Sequence, residues 1–154
     1  MSKGEEALKD IKNVAPDAKV EVLEPNLASF KSIEKVSREF TFKYDRLDVL
    51  ANNAGLVCQA FRRTVAKQLG YRNLPICRWP FRRQNQLLLP TLVKTVDQPN
   101  ANVRIINLTS GGYTFALAPG ISFADTSLPD KSIWARYGQS KLANILFTRE
   151  LAKR

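Results

Sequence analysis

The sequence contains no histidine among its 154 residues. This absence excludes a Ser-His-Asp triad, a Cys-His pair and a zinc site with histidine ligands, because each of these needs an imidazole. Proton transfer in this chain must therefore use tyrosine, lysine, a carboxylate, cysteine or bound water. The two cysteines, Cys58 and Cys77, show no metal-ligand spacing, and we predict no metal site.

Long apolar runs are also missing. No stretch approaches the roughly 18 apolar residues that span a membrane, and the N-terminal letters MSKGEEALKDIK lack the apolar core of a signal peptide. The apolar fraction of 44% is ordinary for a globular protein and too high for a disordered one. We therefore expect one soluble, cytoplasmic domain over 1–154, or a piece of a larger domain.

Acidic residues are absent from one segment, 61–86, which holds much of the net charge of +10. This segment contains seven cations and neither helical nor strand periodicity. Its cations are Arg62, Arg63, Lys67, Arg72, Arg78, Arg82 and Arg83. A basic module for an acidic partner such as RNA is one interpretation, but charge runs are more often solvated, and we expect no nucleic-acid partner.

Hydrophobic periodicity predicts an α/β chain in which strands alternate with helices. Ser2 with Glu5 predicts a capping box for a first helix, and Ser29 predicts the cap of a second. We also predict a helix over 86–96, which Pro90 kinks or starts afresh, and a final helix over 133–154. Strands are predicted over 19–24, 47–51 and 103–109, the last apolar enough for burial on both faces. This order favours a parallel sheet of about three strands flanked by helices.

Tyr137 and Lys141 lie four residues apart on the last predicted helix and so share one face of it. An ammonium close to a phenol stabilises the phenolate, which lets the phenol exchange a proton with a substrate oxygen. Ser110 closes the third predicted strand, at the edge of the sheet where ligands bind in such folds. The spacing alone is a weak signal, because a surface tyrosine beside a lysine is common.

The sequence segments around Ser110, Tyr137 and Lys141 are much more specific than the spacing. RIINLTS followed by YGQSKLANILFTRELA is similar to the Ser and Tyr-x-x-x-Lys regions of short-chain dehydrogenases/reductases, in wording closest to the retinol-dehydrogenase-like branch. LDVLANNAG resembles the Asn-Asn-Ala-Gly motif after the fourth strand of that family. KGEEALKDIK and VEVLEPNLASFKS resemble the helix and strand between the family's second and third strands. The matches occur in the family's order.

The resemblance implies an incomplete Rossmann-type fold and nicotinamide-dependent redox chemistry between a carbonyl and an alcohol. It implies that Tyr137 is the general acid/base, that Lys141 supports it and holds the nicotinamide ribose, and that Ser110 orients the carbonyl. The cofactor-binding residues that it implies are Asn26, Leu27, Asn52, Ala54, Gly55, Tyr137 and Lys141. The expected cofactor is NADP or NAD, with NADP favoured, and the substrate is a small lipophilic carbonyl or alcohol. A homodimer through the helices that flank the sheet is also in keeping with the family.

The sequence also departs from the family. The glycine-rich TGxxxGxG turn that binds the pyrophosphate would precede Met1, and later strands with the substrate loop would follow Arg154. The segment 61–86 stands where the family has a helix with an active-site asparagine, and neither Asn73 nor Asn85 lies in a matching motif. This segment is either a frame-shifted or mis-spliced stretch or a divergent basic loop. A catalytically inactive remnant is therefore the alternative to an active oxidoreductase.

Overall fold

The computed structural model describes residues 2–27, 29–53, 79–124, 128 and 130–153, and the side chains of 79–82 lie outside that description. The helices are α1 (Lys3–Val14), α2 (Phe30–Lys43), α3 (Trp79–Val96) and α4 (Ile133–Leu151). The strands are β1 (Val49–Asn52) and β2 (Arg104–Asn107), and a short 3-10 turn, Gly111–Phe115, follows β2. None of the helices in these ranges combines the length and the apolarity that a membrane crossing requires.

Serine hydroxyls cap the N-termini of three helices. The Ser2 hydroxyl accepts from the Glu5 backbone N–H at 3.3 Å, and the Glu5 carboxylate accepts from the Ser2 N–H at 2.7 Å. This confirms the predicted capping box. The predicted cap of α2 is also confirmed, because the Ser29 hydroxyl accepts from the Ser32 N–H at 3.3 Å. Ser132 caps α4 in the same way, at 3.1 Å from the Ala135 N–H.

The two strands pair in parallel, with Leu50 opposite Ile105 and Asn52 opposite Asn107. The prediction of an α/β chain with a small parallel sheet is confirmed, but the described residues contain two strands and not three. The predicted strand over 19–24 is wrong: this segment has no regular secondary structure and pairs with neither strand of the described sheet. Its Glu21 carboxylate instead accepts hydrogen bonds from Lys43 and Tyr44 at the end of α2. The bond from Lys43 lowers the pKa of Glu21 below its usual value.

The apolar core lies on one face of the sheet. Leu50 packs there against Leu88 and Leu92 of α3, with Ile105 and Phe40 at its margin. Burying such side chains is the main favourable contribution to folding.

The opposite face of the sheet is apolar but exposed. Val49, Ile106 and Leu108 are 50%, 45% and 41% exposed. The prediction that strand 103–109 is buried on both faces is therefore wrong, because only one of its faces meets helices within the described part of the chain.

Helix α3 begins at Trp79, so the predicted start at Gln86 is wrong by about two turns. Pro80 stands in the first turn, where no backbone N–H is needed and a fixed φ favours the helix. Pro90 lies inside α3, which runs through it. Because proline has no N–H, the carbonyl of Gln86, four residues earlier, lacks its usual helical donor. Pro90 and Gln86 are both exposed, so water can bond to that carbonyl instead. The C-terminal part of the basic segment is thus helical.

Candidate active site

Ser110 lies just beyond β2 and caps the 3-10 turn. Its hydroxyl oxygen accepts from the Gly112 backbone N–H at 3.1 Å. The side chain is half-buried, at the edge of the sheet where the sequence predicts it. The Ser110 oxygen therefore caps the 3-10 turn as an acceptor, and the hydroxyl hydrogen can still be donated to a ligand.

Tyr137 and Lys141 lie on α4, one turn apart and half-buried. The Lys141 ammonium is 5.5 Å from the centroid of the Tyr137 ring. At this distance the cation is attracted to the ring face. The pairing that the spacing predicts is therefore present in the structure.

The 3-10 turn packs so closely on α4 that Ser110 and Tyr137 meet around a single glycine. A Cβ built on Gly112 would be 2.6 Å from Cε1 of Tyr137 and 3.4 Å from Oγ of Ser110. The structure thus brings the hydroxyl of Ser110, the ring of Tyr137 and the ammonium of Lys141 into one cluster. These are the three residues that the sequence predicts as catalytic.

Side-chain hydrogen bonds fix α4 along the chain that leaves β2. The Thr109 hydroxyl donates to the Lys141 carbonyl at 2.9 Å. Asn144, which is 8% exposed, donates its Nδ2 to the Leu108 carbonyl at 2.9 Å. The Nδ2 of Asn107 reaches the Thr148 hydroxyl at 3.1 Å. Three successive residues from the end of β2 thus contact successive turns of α4, which sets the position of Tyr137 and Lys141 relative to Ser110.

Asn52 ends β1 and is turned into the protein, with 3% of its surface exposed. Its Nδ2 donates to Oδ1 of Asn85 on α3 at 2.9 Å and to Oδ1 of Asn107 on β2 at 2.7 Å. Its own Oδ1 and the Nδ2 of Asn85 are buried without a hydrogen-bond partner. The side chain therefore braces β1, β2 and α3. We call Asn52, Asn85 and Asn107 the amide cluster.

The amide cluster supports a stability prediction. Replacing Asn52 by Ala removes both donated bonds and leaves Oδ1 of Asn85 and of Asn107 without that donor. We expect a fall of about 2 kcal/mol in the free energy of unfolding, measured by urea denaturation. Asn53 is exposed and adjacent, so Asn53→Ala is the matched control. Equal effects of the two variants would contradict the bracing role.

The remaining predicted cofactor residues lie elsewhere or outside the description. Asn26 and Leu27 form the turn before α2, where the Asn26 carbonyl accepts from the Ser29 N–H at 2.9 Å. The Asn26 N–H donates to the Ser32 hydroxyl at 2.9 Å. Ala54 and Gly55 lie outside the described residues. Asn26 and Leu27 thus lie at the start of α2, while the Asn52 side chain is hydrogen-bonded within the fold.

Sequence reasoning missed Asn85, Asn144 and the two glycines at the turn, Gly112 and Gly138. Asn85 could have been found, since it falls in the buried stripe of α3 with Leu88, Leu92 and Thr95. A polar residue in such a stripe usually has a buried partner. The glycines carry no comparable signal, because their role is to leave space for another element.

The basic segment contributes one described cation, Arg83. Its Nε donates to a carboxylate oxygen of Glu34 on α2 at 3.1 Å, which ties α3 to α2. This hydrogen bond lowers the pKa of the Glu34 carboxyl below its usual value. The side chains of the other six cations lie outside the described residues. Arg83 is therefore paired within the fold.

Comparisons with known proteins agree on one type of enzyme. The chain is 32% identical to a short-chain dehydrogenase/reductase of Aspergillus calidoustus, over 98% of this chain and 48% of that protein. An uncharacterised oxidoreductase of Schizosaccharomyces pombe is 34% identical over 99% of this chain and 45% of its own length. Retinol dehydrogenase 11 of Mus musculus is 32% identical over 100% of this chain and 46% of its own length.

The match to solved structures extends the comparison to the fold. The crystal structure of a short-chain dehydrogenase from Streptomyces avermitilis superposes with a TM-score of 0.61 at 22% identity, over 96% of this chain and 47% of that one. At this identity the likeness shows the fold alone. No family model matches the chain. The chain spans about half the length of the curated relatives it matches.

Proposed function

Because the chain belongs to the short-chain dehydrogenase/reductase family, we propose that it carries the proton-transfer site of an NAD(P)-dependent carbonyl/alcohol oxidoreductase. The observation that carries this proposal is the joint placement of Ser110, Tyr137 and Lys141 around the 3-10 turn. Serine, tyrosine and lysine together supply a donor, an acid/base and a charge without any histidine, which this sequence lacks.

Each residue has one chemical task in the proposed reaction. The Tyr137 hydroxyl gives a proton to the substrate oxygen during reduction and takes it back during oxidation. The Lys141 ammonium, 5.5 Å from the ring, stabilises the phenolate that remains. The Ser110 hydroxyl donates to the same substrate oxygen and so stabilises the charge that develops there. The nicotinamide cofactor, when bound, supplies or accepts the hydride.

The described residues suit the nicotinamide half of that cofactor. The Lys141 ammonium is half-buried beside the tyrosine ring and has donors left for a ribose hydroxyl. Asn26 and Leu27, at the turn before α2, are the residues we assign to the adenosine end. We propose NADP in preference to NAD as the cofactor.

The proposed substrate is a lipophilic alcohol or carbonyl compound. The likeness to a retinol dehydrogenase supports this class. So does an exposed aromatic pair beside the site: Phe115 of the 3-10 turn and Trp134 of α4 have ring centroids 5.6 Å apart and are 52% and 55% exposed. Trp134 lies one turn before Tyr137, so an apolar substrate bound on this pair would have its oxygen near Ser110 and Tyr137.

A catalytically inactive chain that keeps the family's fold is the second candidate. The exposed apolar face of the sheet is the observation behind it, since the described residues by themselves leave Val49 and Ile106 half exposed. Of the basic segment's cations, the one with a described side chain, Arg83, is paired with Glu34 and so offers no support for a basic binding module.

Steady-state oxidation of NADPH or NADH, followed by absorbance, separates the two main candidates. The purified chain should oxidise NADPH in the presence of ketones and aldehydes, with KM falling as the apolar part of the substrate lengthens. The control is the same assay without a carbonyl compound. It measures the spontaneous decay of NADPH, and the decay should be slow compared with the enzymatic rate. A folded chain that binds cofactor yet turns over no carbonyl compound would establish the inactive candidate.

A further inference from the structure

The backbone of Gly112 contacts both Ser110 and Tyr137. We propose that Gly112 is a positioning residue, which sets where the Tyr137 ring lies beside Ser110 and directs the Ser110 hydroxyl as a donor. For catalysis the inference rests on the proposed function. For the position of the tyrosine ring it stands independently of any turnover.

The N–H of Gly112 determines what the Ser110 hydroxyl can do. It donates to the Ser110 oxygen at 3.1 Å and so occupies an acceptor site of the hydroxyl. A serine hydroxyl has one hydrogen to donate and two lone pairs. With one lone pair engaged by the backbone, the hydrogen is left to point away from the turn, towards a substrate oxygen.

The Cα of Gly112 determines where the Tyr137 ring can lie. A Cβ on this residue would be 2.6 Å from Cε1 and 3.1 Å from Cδ1 of the ring. Real Cβ atoms essentially never come so close, and an alanine would push the ring away by about 1 Å. A displacement of that size is enough to cost a catalytic group much of its effect.

The carbonyl side of Gly112 shows how closely the turn packs on α4. A Cβ on Gly138 of α4 would be 3.0 Å from the Gly112 oxygen and 2.6 Å from the Phe115 carbonyl carbon. The turn is therefore already in backbone contact with α4. An added methyl group at 112 should therefore move the tyrosine ring, because a side chain rotates at less cost than the turn loses its backbone contact with α4.

Space, and not backbone conformation, is the reason for glycine at this position. Of the described glycines, Gly120 alone has a φ in the left-handed region. Gly112 therefore has a backbone that alanine can adopt. Its neighbour Gly111 has nothing within 4 Å of a built Cβ. Gly111→Ala is consequently a matched control for Gly112→Ala in the same turn.

Fluorine NMR of the chain labelled with 3-fluorotyrosine measures the ring position without cofactor or substrate. The chain has four tyrosines, and Tyr137→Phe assigns the signal of interest by its disappearance. We expect Gly112→Ala to shift the Tyr137 signal well beyond any shift that Gly111→Ala causes. Equal shifts in the two variants, or none in either, would overturn the proposal.

Thermal denaturation covers the case in which Gly112→Ala disturbs folding. Because the collision is with a movable ring, we expect Gly112→Ala to melt within about 5 °C of the parent. If the fall is larger, it should shrink by at least half when Tyr137→Ala removes the ring. If Gly112→Ala lowers the melting temperature equally in the parent and in the Tyr137→Ala background, the added methyl group does not collide with the tyrosine ring, and the proposal is overturned.

Turnover tests the catalytic consequence. Gly112→Ala should lower kcat on the order of 10²-fold with little change in the KM for cofactor, while Gly111→Ala stays near the parent. Unchanged kcat in Gly112→Ala would overturn the positioning role. If the parent chain neither binds cofactor nor turns over, the proposed function fails by itself, and the fluorine signal still decides where Gly112 holds the ring.

Discussion

Replacing Tyr137 by Phe should lower the carbonyl-dependent oxidation of NADPH by at least about 10²-fold. The variant loses only the hydroxyl, so the ring keeps its contact with Gly112 and its place beside the Lys141 ammonium. Cofactor affinity and melting temperature should therefore stay near those of the parent. Steady-state rates at saturating cofactor, with calorimetric binding of NADPH in parallel, separate the loss of proton transfer from a loss of binding.

Tyr44→Phe is the matched control for this loss. Tyr44 lies just after α2, and its hydroxyl donates to the exposed Glu21 carboxylate. Removing that hydroxyl should leave turnover unchanged. If Tyr137→Phe keeps the parental rate, the proton comes from another group and the proposed role of Tyr137 is wrong.

Replacing Gly138 by Ala should lower the free energy of unfolding by about 3 kcal/mol. In an ordinary helix interior the same change stabilises by about 1 kcal/mol, because alanine has the higher helix propensity. Here the added Cβ would be 2.4 Å from the Ala116 nitrogen and 2.6 Å from the Phe115 carbonyl carbon. These are backbone atoms that cannot rotate away, so α4 must separate from the 3-10 turn. Urea denaturation measures the loss.

Gly4→Ala is the control, because Gly4 is also a glycine within a helix. A Cβ there would meet Cγ1 of Val22, the tip of a side chain that can turn aside. We expect that variant to unfold within about 1 kcal/mol of the parent. A stabilising effect of Gly138→Ala, equal to its propensity gain, would show that the turn and α4 are not in close contact.

Local signals in the sequence predicted the fold best where the interactions are themselves local. Ser2, Glu5 and Ser29 cap helices because their partners lie three residues away, within reach whatever the rest of the chain does. Both observed strands lie within two residues of their predicted bounds. The pairing of Tyr137 with Lys141 follows equally from a four-residue spacing on one helix.

The errors concern interactions between distant segments. The apolar pattern over 19–24 suits a strand, but a strand also needs a neighbour, and this segment lies against the end of α2 through Glu21. The start of α3 was missed because segment 61–86 shows no helical period, although Pro80 in the first turn of α3 favours a helix.

The supports of the site were the least predictable part. The amide cluster joins Asn52 to Asn85 and Asn107, which are 33 and 55 residues away. Gly112 and Gly138 matter only because the 3-10 turn and α4 come together. The chemistry that we propose for Ser110, Tyr137 and Lys141 follows from their types and order, whereas the contacts that orient them depend on the folded chain.

The most direct test of an active site in this chain is calorimetric titration of the purified protein with NADPH and NADH, for the parent, Lys141→Ala and Lys153→Ala. Lys153 is an exposed lysine bonded to Glu150 at 2.9 Å and matches the charge change. We predict saturable binding, tighter for NADPH, that Lys141→Ala weakens about tenfold and Lys153→Ala leaves unchanged. A folded parent that binds neither cofactor, or that binds them as well without Lys141, would contradict the proposal.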